Sequence, residues 1–164
     1  MIHLYFFLVG TVFASFLGLV IDRFPEQSII TPASHCNACG KRLAPRDLIP
    51  IVSQVLNRLR CRFCGDKIPL RYLFFECILG GLFLATSLGV LSISQLLLLT
   101  MGLTLAIYDQ REQQYPLMVW LVFQLLLMVT AGVNLLMLFF LALGLLAFFY
   151  NLRIGAGDFL FLTS

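Results

Sequence analysis

Charge is what this sequence has least of. Only 12% of its 164 residues are Asp, Glu, Lys or Arg, 60% are hydrophobic, and the mean hydropathy is +0.97. Soluble domains carry about 25% charged and roughly 45–50% apolar residues. A water-exposed globule is therefore excluded, and a membrane is the simplest solvent for so much apolar surface. Lys and Arg are absent from four long stretches, Tyr72–Leu91, Ile93–Tyr108, Leu117–Ala131 and Leu135–Tyr150, and Glu76 is the one acid among them. The first stretch, Ile2–Ile21, has no charged residue beyond a titratable His3. It also lacks the basic segment that a secretory signal places ahead of its apolar core. Its basic residues follow instead, from Arg23, which marks a retained transmembrane helix.

Five apolar spans result, and a sixth begins at Phe159. The shortest give about 24 Å of helix against a hydrocarbon core of about 30 Å, a mismatch that flanking residues or slight bilayer thinning absorb. Gly89–Gln95 and Gly132–Asn134 read as tight connectors. Gly10, Ala14 and Gly18 recur every four residues, a stripe along which another helix can approach closely. Alternating the spans puts residues 22–71, 109–116 and 151–158 on one side. Those stretches hold all eleven basic residues, and the opposite side has none. Positive charge stays in the cytoplasm, so the amino terminus faces out and the long loop faces in. The net charge of +3 reflects this topology and contact with anionic lipid, with no nucleic-acid partner expected. The expected architecture is an all-α polytopic membrane protein with about five complete transmembrane helices, the start of a sixth, and a small cytoplasmic four-cysteine module. Its parts are residues 1–21, the first helix; 22–71, the module; and 72–164, the remaining membrane helices.

The loop contains Cys36-Asn-Ala-Cys39 and Cys61-Arg-Phe-Cys64, two Cys-x-x-Cys knuckles separated by 21 residues. Such a pair can place four thiolates at the corners of a tetrahedron around zinc. Gly40 and Gly65 follow each pair, where a tight knuckle calls for positive φ. A segment with few large apolar residues would draw much of its folding energy from the metal. Two disulfides are the competing reading, which a reducing cytoplasm disfavours. No βαβ pattern surrounds either pair to support a redox role. Four protein ligands leave no open position, so the zinc would be structural. Cys77, in the second span, is expected as a small buried apolar residue. Arg58, Arg60 and Arg62 alternate beside the second knuckle and read as a solvated or lipid-facing edge, with anion recognition as the alternative.

Three acids lie in or beside apolar segments, where a carboxylate is costly unless it has a partner or a polar cavity: Glu76, Asp109 and Asp158. Asp109 ends one span, and two further spans return the chain to the same side at Asp158. The two carboxylates can therefore share a membrane depth. Facing each other they would share one proton near neutral pH, the arrangement of an aspartyl protease. One carboxylate activates water while its partner protonates the leaving group. Gly155 and Gly157 clear side-chain bulk from around Asp158. Simple membrane-boundary acids are the other reading of this pair.

Taken in order, four stretches resemble one family. They are Ala14-Ser15-Phe16-Leu17 through Val20-Ile21-Asp22-Arg23-Phe24-Pro25; Ser34 to Cys39 through Asp47-Leu48-Ile49-Pro50-Ile51-Val52-Ser53; Arg60 to Gly65 with Ile68, Tyr72 and Glu76; and Asp109 with Pro116 followed by Gly155-Ala156-Gly157-Asp158. The sequence resembles the type IV prepilin peptidases, membrane aspartyl proteases with a Gly-x-Gly-Asp motif. The resemblance implies an inner-membrane enzyme that cleaves the basic leader from type IV pilin-like precursors on the cytoplasmic side. It also implies methylation of the new amino terminus with S-adenosylmethionine. Asp109 and Asp158 match the catalytic pair, and Cys36, Cys39, Cys61 and Cys64 match the zinc-linked region. Such precursors serve pili, type II secretion or competence. Leu160 stands where members often carry Lys, and the chain stops six residues after Asp158, which reads as a carboxy-terminal truncation. The alternative is a non-catalytic, membrane-anchored zinc module that binds prepilin or assembly partners.

Overall fold

The computed structural model describes residues 1–24, 28–112 and 117–132, with residues 138 and 142, and for Arg111, Glu112 and Leu117 the backbone only. Most of the expected span 135–150, the sixth span and Asp158 lie outside the described residues. The chain divides into two compact units, residues 1–91 and 92–164.

The first unit is built on two long helices, α1 (Ile2–Arg23) and α3 (Leu70–Ser87), joined by the cysteine module. At about 1.5 Å per residue they run about 33 Å and about 27 Å. Both are long and apolar enough to cross a membrane. They pack antiparallel in one register. His3 Nδ1 meets Ser87 Oγ at 3.0 Å at one end, and Tyr72 donates its hydroxyl to the Asp22 carboxylate at the other. Between these ends Ala14, Leu17, Ile21, Phe75 and Leu79 are buried. The small-residue stripe works as expected at this seam. A Cβ added to Gly10 would lie 2.8 Å from Phe83 Cβ and 2.9 Å from the Leu79 carbonyl, while Gly18 faces Tyr72. Gly80 answers from α3, with Phe7 and Thr11 against it.

Cys77 corrects an expectation, because it is exposed. Phe75, Glu76, Leu79 and Gly80 take the inward face of α3, and a step of one residue turns Cys77 about 100° away from it. α3 ends in a Schellman motif. Val90 N–H donates to Ala85 C=O and Gly89 N–H to Thr86 C=O, each at 3.0 Å, with Gly89 at φ +75°.

Between α1 and α3 lie a 3-10 turn (Pro45–Leu48) and the short α2 (Val52–Leu56). Among the described residues there is no strand, only the isolated bridges His35–Arg42 and Arg60–Lys67. The buried Arg23 guanidinium donates to the Pro32 carbonyl at 2.6 Å and so ties the module's entry to the end of α1.

The second unit contains α4 (Ile93–Glu112) and the apolar α5 (Leu117–Ala131), which lie against each other. Ser92 and Gln95 form a reciprocal cap at the start of α4: Ser92 N–H donates to Gln95 Oε1 at 2.9 Å, and Gln95 N–H to Ser92 Oγ at 3.2 Å. Met101, Thr104, Tyr108, Trp120 and Phe123 are buried. α4 continues four residues past Tyr108, where the apolar run stops. Gln, Arg and Glu are good helix formers, so the helix outlasts its hydropathy.

Candidate functional site

The two knuckles share one backbone design, repeated after 25 residues. Cys36 N–H bonds to Lys41 C=O at 3.0 Å, and Gly40 N–H to Cys36 C=O at 2.8 Å. In the second copy Cys61 N–H bonds to Asp66 C=O at 2.7 Å, and Gly65 N–H to Cys61 C=O at 2.8 Å. Each loop closes through a glycine in the left-handed region, Gly40 at φ +66° and Gly65 at φ +75°. Only glycine takes that conformation without steric cost.

These loops bring all four Sγ atoms within 4.8 Å of one another, with Cys36 and Cys64 at 3.8 Å. Metal–sulfur bonds of about 2.3 Å in a tetrahedron give sulfur–sulfur edges of about 3.8 Å. A disulfide would hold its sulfurs about 2.0 Å apart, and all four cysteines are free. The donor set therefore fits a metal ion that binds thiolates. Its electrostatics agree. The N–H groups of Cys64 and Phe63 favour the Cys61 thiolate and bring that thiol down to about 7. At Cys64 the Asp66 N–H favours the thiolate, but desolvation and the sulfurs of Cys61, Cys39 and Cys36 together push the thiol up to about 12. Thiols crowded in this way shed their last protons only when a cation neutralises them.

The arginines beside the second knuckle differ in role. Arg62 donates to Asp47 Oδ2 at 3.2 Å and lies 4.8 Å from the Phe63 ring centroid, to which Lys41 Nζ also comes within 5.1 Å. Asp47 also accepts from Ala44 N–H at 3.1 Å, so this pair links the 3-10 turn to the second knuckle. Arg58 and Arg60 are exposed, as an edge should be.

Glu76 has the partners that its position demands. It is 4% exposed, and its Oε2 accepts from Gln54 Nε2 and from Ile51 N–H, both at 2.7 Å. Ile51 holds φ +59° and ψ −55°, with Val52 N–H on Pro50 C=O at 2.5 Å: a γ-turn of the rare, strained hand. Nothing in the sequence pattern marked Ile51 and Gln54 as partners of Glu76. Asp22 is held likewise, by the Tyr72 hydroxyl and by Arg71 at 3.2 Å. Asp109 lies three residues before the end of α4, exposed and next to the buried Tyr108.

Fold and site together define a class: an α-helical chain with, among the described residues, two helices long and apolar enough to cross a membrane and a four-cysteine module able to hold a metal ion. The family model of the bacterial peptidase A24 N-terminal domain matches residues 8–90, which run from α1 through the module to α3. The chain belongs to this family, that of the prepilin peptidases. It is similar to the prepilin leader peptidase/N-methyltransferase of Myxococcus xanthus, 44% identical over 82 residues, covering 49% of this chain and 24% of the relative. The protein of the same name from Klebsiella pneumoniae is 36% identical over 123 residues, or 68% of this chain and 54% of the relative. That from Bacillus subtilis is 35% identical over 83 residues, 50% of this chain and 34% of the relative. The chain thus spans from 24% to 54% of the length of these relatives. No solved structure matches it.

Proposed function

We propose that the chain is a prepilin leader peptidase that cleaves the leaders of type IV pilin-like precursors at the cytoplasmic face of the inner membrane. The observation that carries this reading is the family match through residues 8–90, followed by Asp109 and Gly155-Ala156-Gly157-Asp158 in the order of the peptidase pattern. In this proposal the apolar stretches cross the bilayer five times with the amino terminus outside, because all eleven basic residues then lie inside. Asp109 and Asp158 form the catalytic pair. The ionised carboxylate takes a proton from water, which attacks the scissile carbonyl, and the protonated partner passes its proton to the leaving amine. Cys36, Cys39, Cys61 and Cys64 hold zinc, which fixes the module's fold and leaves no coordination position for substrate. Methylation of the freed amino terminus belongs to the same proposal. Its support is the name that the relatives carry, and S-adenosylmethionine would supply the methyl group.

The test is incubation of this chain, in membranes, with a pilin-like precursor, followed by mass spectrometry of the precursor's amino terminus. Cleavage is expected, and Asp109→Asn or Asp158→Asn should abolish it while insertion is retained. Full processing by either variant would remove the aspartyl mechanism. Association without cleavage, even at high enzyme concentration, would replace the enzyme with a binding module.

A further inference from the structure

α2 is turned the wrong way round for water. Its inward residues are polar: Ser53 and Gln54 are 8% and 7% exposed. Its outward residues are apolar: Val52, Val55 and Leu56 are 48%, 60% and 76% exposed. A helix on the surface of a soluble domain shows the reverse arrangement. The inward face is polar because Gln54 and the strained Ile51 turn are fastened to the buried Glu76 carboxylate. That attachment also sets a height. Glu76 lies six residues beyond Leu70, the first residue of α3, which is about 9 Å along the helix axis. Helices lying in a membrane interface bury their apolar faces by about 5–10 Å. The charge around α2 fits the same surroundings. Arg58 and Arg60 follow it, both exposed, and residues 28–69 carry seven basic residues against two acidic ones.

We propose that α2 is an interfacial anchor: Val52, Val55 and Leu56 enter the edge of the leaflet while Arg58 and Arg60 meet anionic headgroups. The partner is an anionic lipid surface. The inference rests on the membrane placement of α1 and α3 given above. It assigns Glu76 a positioning role, holding the metal module down against the bilayer through Ile51 and Gln54. The module is thereby fixed in height as well as tethered at both ends.

The experiment uses the full chain in vesicles of phosphatidylcholine and phosphatidylglycerol that carry brominated lipids. Val55→Trp is the probe, Leu56→Trp its independent repeat, and the wild-type signal from the single native Trp120 is subtracted. Ile78→Trp, at an exposed position deeper in α3, reports whether that helix spans. The expected result is emission from residue 55 shifted to the blue and quenched about twofold by bromines just beneath the headgroups, with residue 78 quenched by bromines near the chain ends. Quenching at residue 55 should weaken in pure phosphatidylcholine, and R58Q with R60Q should bring the anionic vesicles to that level. Equal quenching in both lipids would remove the headgroup contact. Unquenched emission at residues 55 and 56, with residue 78 still quenched, would overturn the anchor and leave the spans intact. Loss of quenching at all three would instead overturn the membrane placement itself. A blue shift at residue 55 only after a pilin-like precursor is added would make the face a protein-docking surface and refute the proposal.

Discussion

Replacing Gly10 with alanine tests the seam between α1 and α3 at its tightest point. The new Cβ would sit 2.8 Å from Phe83 Cβ and 2.9 Å from the Leu79 carbonyl oxygen. Carbon atoms in good contact lie about 3.5–4.0 Å apart. The obstacles are a backbone oxygen and a Cβ, neither of which can swing aside, so the helices must part by roughly 0.7–1 Å. A gap of that size forfeits a quarter to a half of each contact along the crossing, and overpacking of this kind costs about 1–3 kcal/mol. Alanine's better helix propensity returns ~1 kcal/mol, leaving a net loss of about 0–2 kcal/mol. Gly81 supplies the control, because a Cβ there meets nothing within 4 Å. Gly81→Ala keeps the propensity gain alone and should be neutral or stabilising. Gly80→Ala should fall between the two, since the Phe7 ring can turn away while the Thr11 methyl is held by the bond of its hydroxyl to Leu8 C=O. SDS-driven unfolding in mixed micelles, read by pulse proteolysis, gives the ranking. A Gly10→Ala midpoint at or above that of Gly81→Ala would refute the packing argument.

The remaining predictions concern the module. The wild-type chain should bind one zinc ion, and Cys39→Ser should lower its retention in native mass spectrometry; retention at the wild-type level would remove Cys39 from the site. Binding must also release protons. With the Cys64 thiol pushed up to about 12, that proton is present in the metal-free protein at every working pH. Apparent affinity should therefore fall by at least about tenfold for each pH unit lowered, in competition titrations between about pH 8 and about pH 6; a flat profile would contradict thiolate ligation. Glu76→Ala strands Ile51 N–H and Gln54 Nε2 without their acceptor, a cost of about 1–3 kcal/mol per buried donor. Hydrogen exchange should speed up over residues 51–56 while α1 stays protected, and unchanged protection would show that the carboxylate does not hold α2.

What the sequence made legible was local. The long helices follow from runs of apolar residues, the seam from small residues one turn apart, and the knuckles from cysteine spacing with a glycine behind each pair. All of these are readable within a window of a few turns. Glu76 was legible as a problem, a carboxylate in an apolar stretch, but its solution lay 22 and 25 residues away at Gln54 and Ile51. Separations of that size carry no periodic signal. The orientation of α2 depends on that same distant contact, so its pattern of apolar and polar residues did not say which side faces inward. Cys77 was misplaced for a related reason. Composition fixes that a helix is apolar, but not which of its faces packs against protein and which is left exposed.

Apolar helices offer few polar groups, and among the described residues the threonines are largely committed to holding the fold. Thr11, Thr86, Thr100, Thr104 and Thr130 each donate to a carbonyl one turn back and so present little to a substrate. The acids whose side chains are described on the helices sort in the same way. Asp22 closes the open end of the α1–α3 pair through Tyr72 and Arg71, and Glu76 is enclosed by Ile51 and Gln54. An acid whose oxygens already accept from protein donors cannot take a proton from water without loosening the contacts it supports. Asp109 differs in the respect that matters for hydrolysis. It is exposed, near the end of a helix and next to the buried Tyr108. Water can reach this carboxylate, which is what the proposed general base requires. Among the acids whose side chains are described on the helices, Asp109 is thus the exposed one, and the proposed mechanism asks this of its general base.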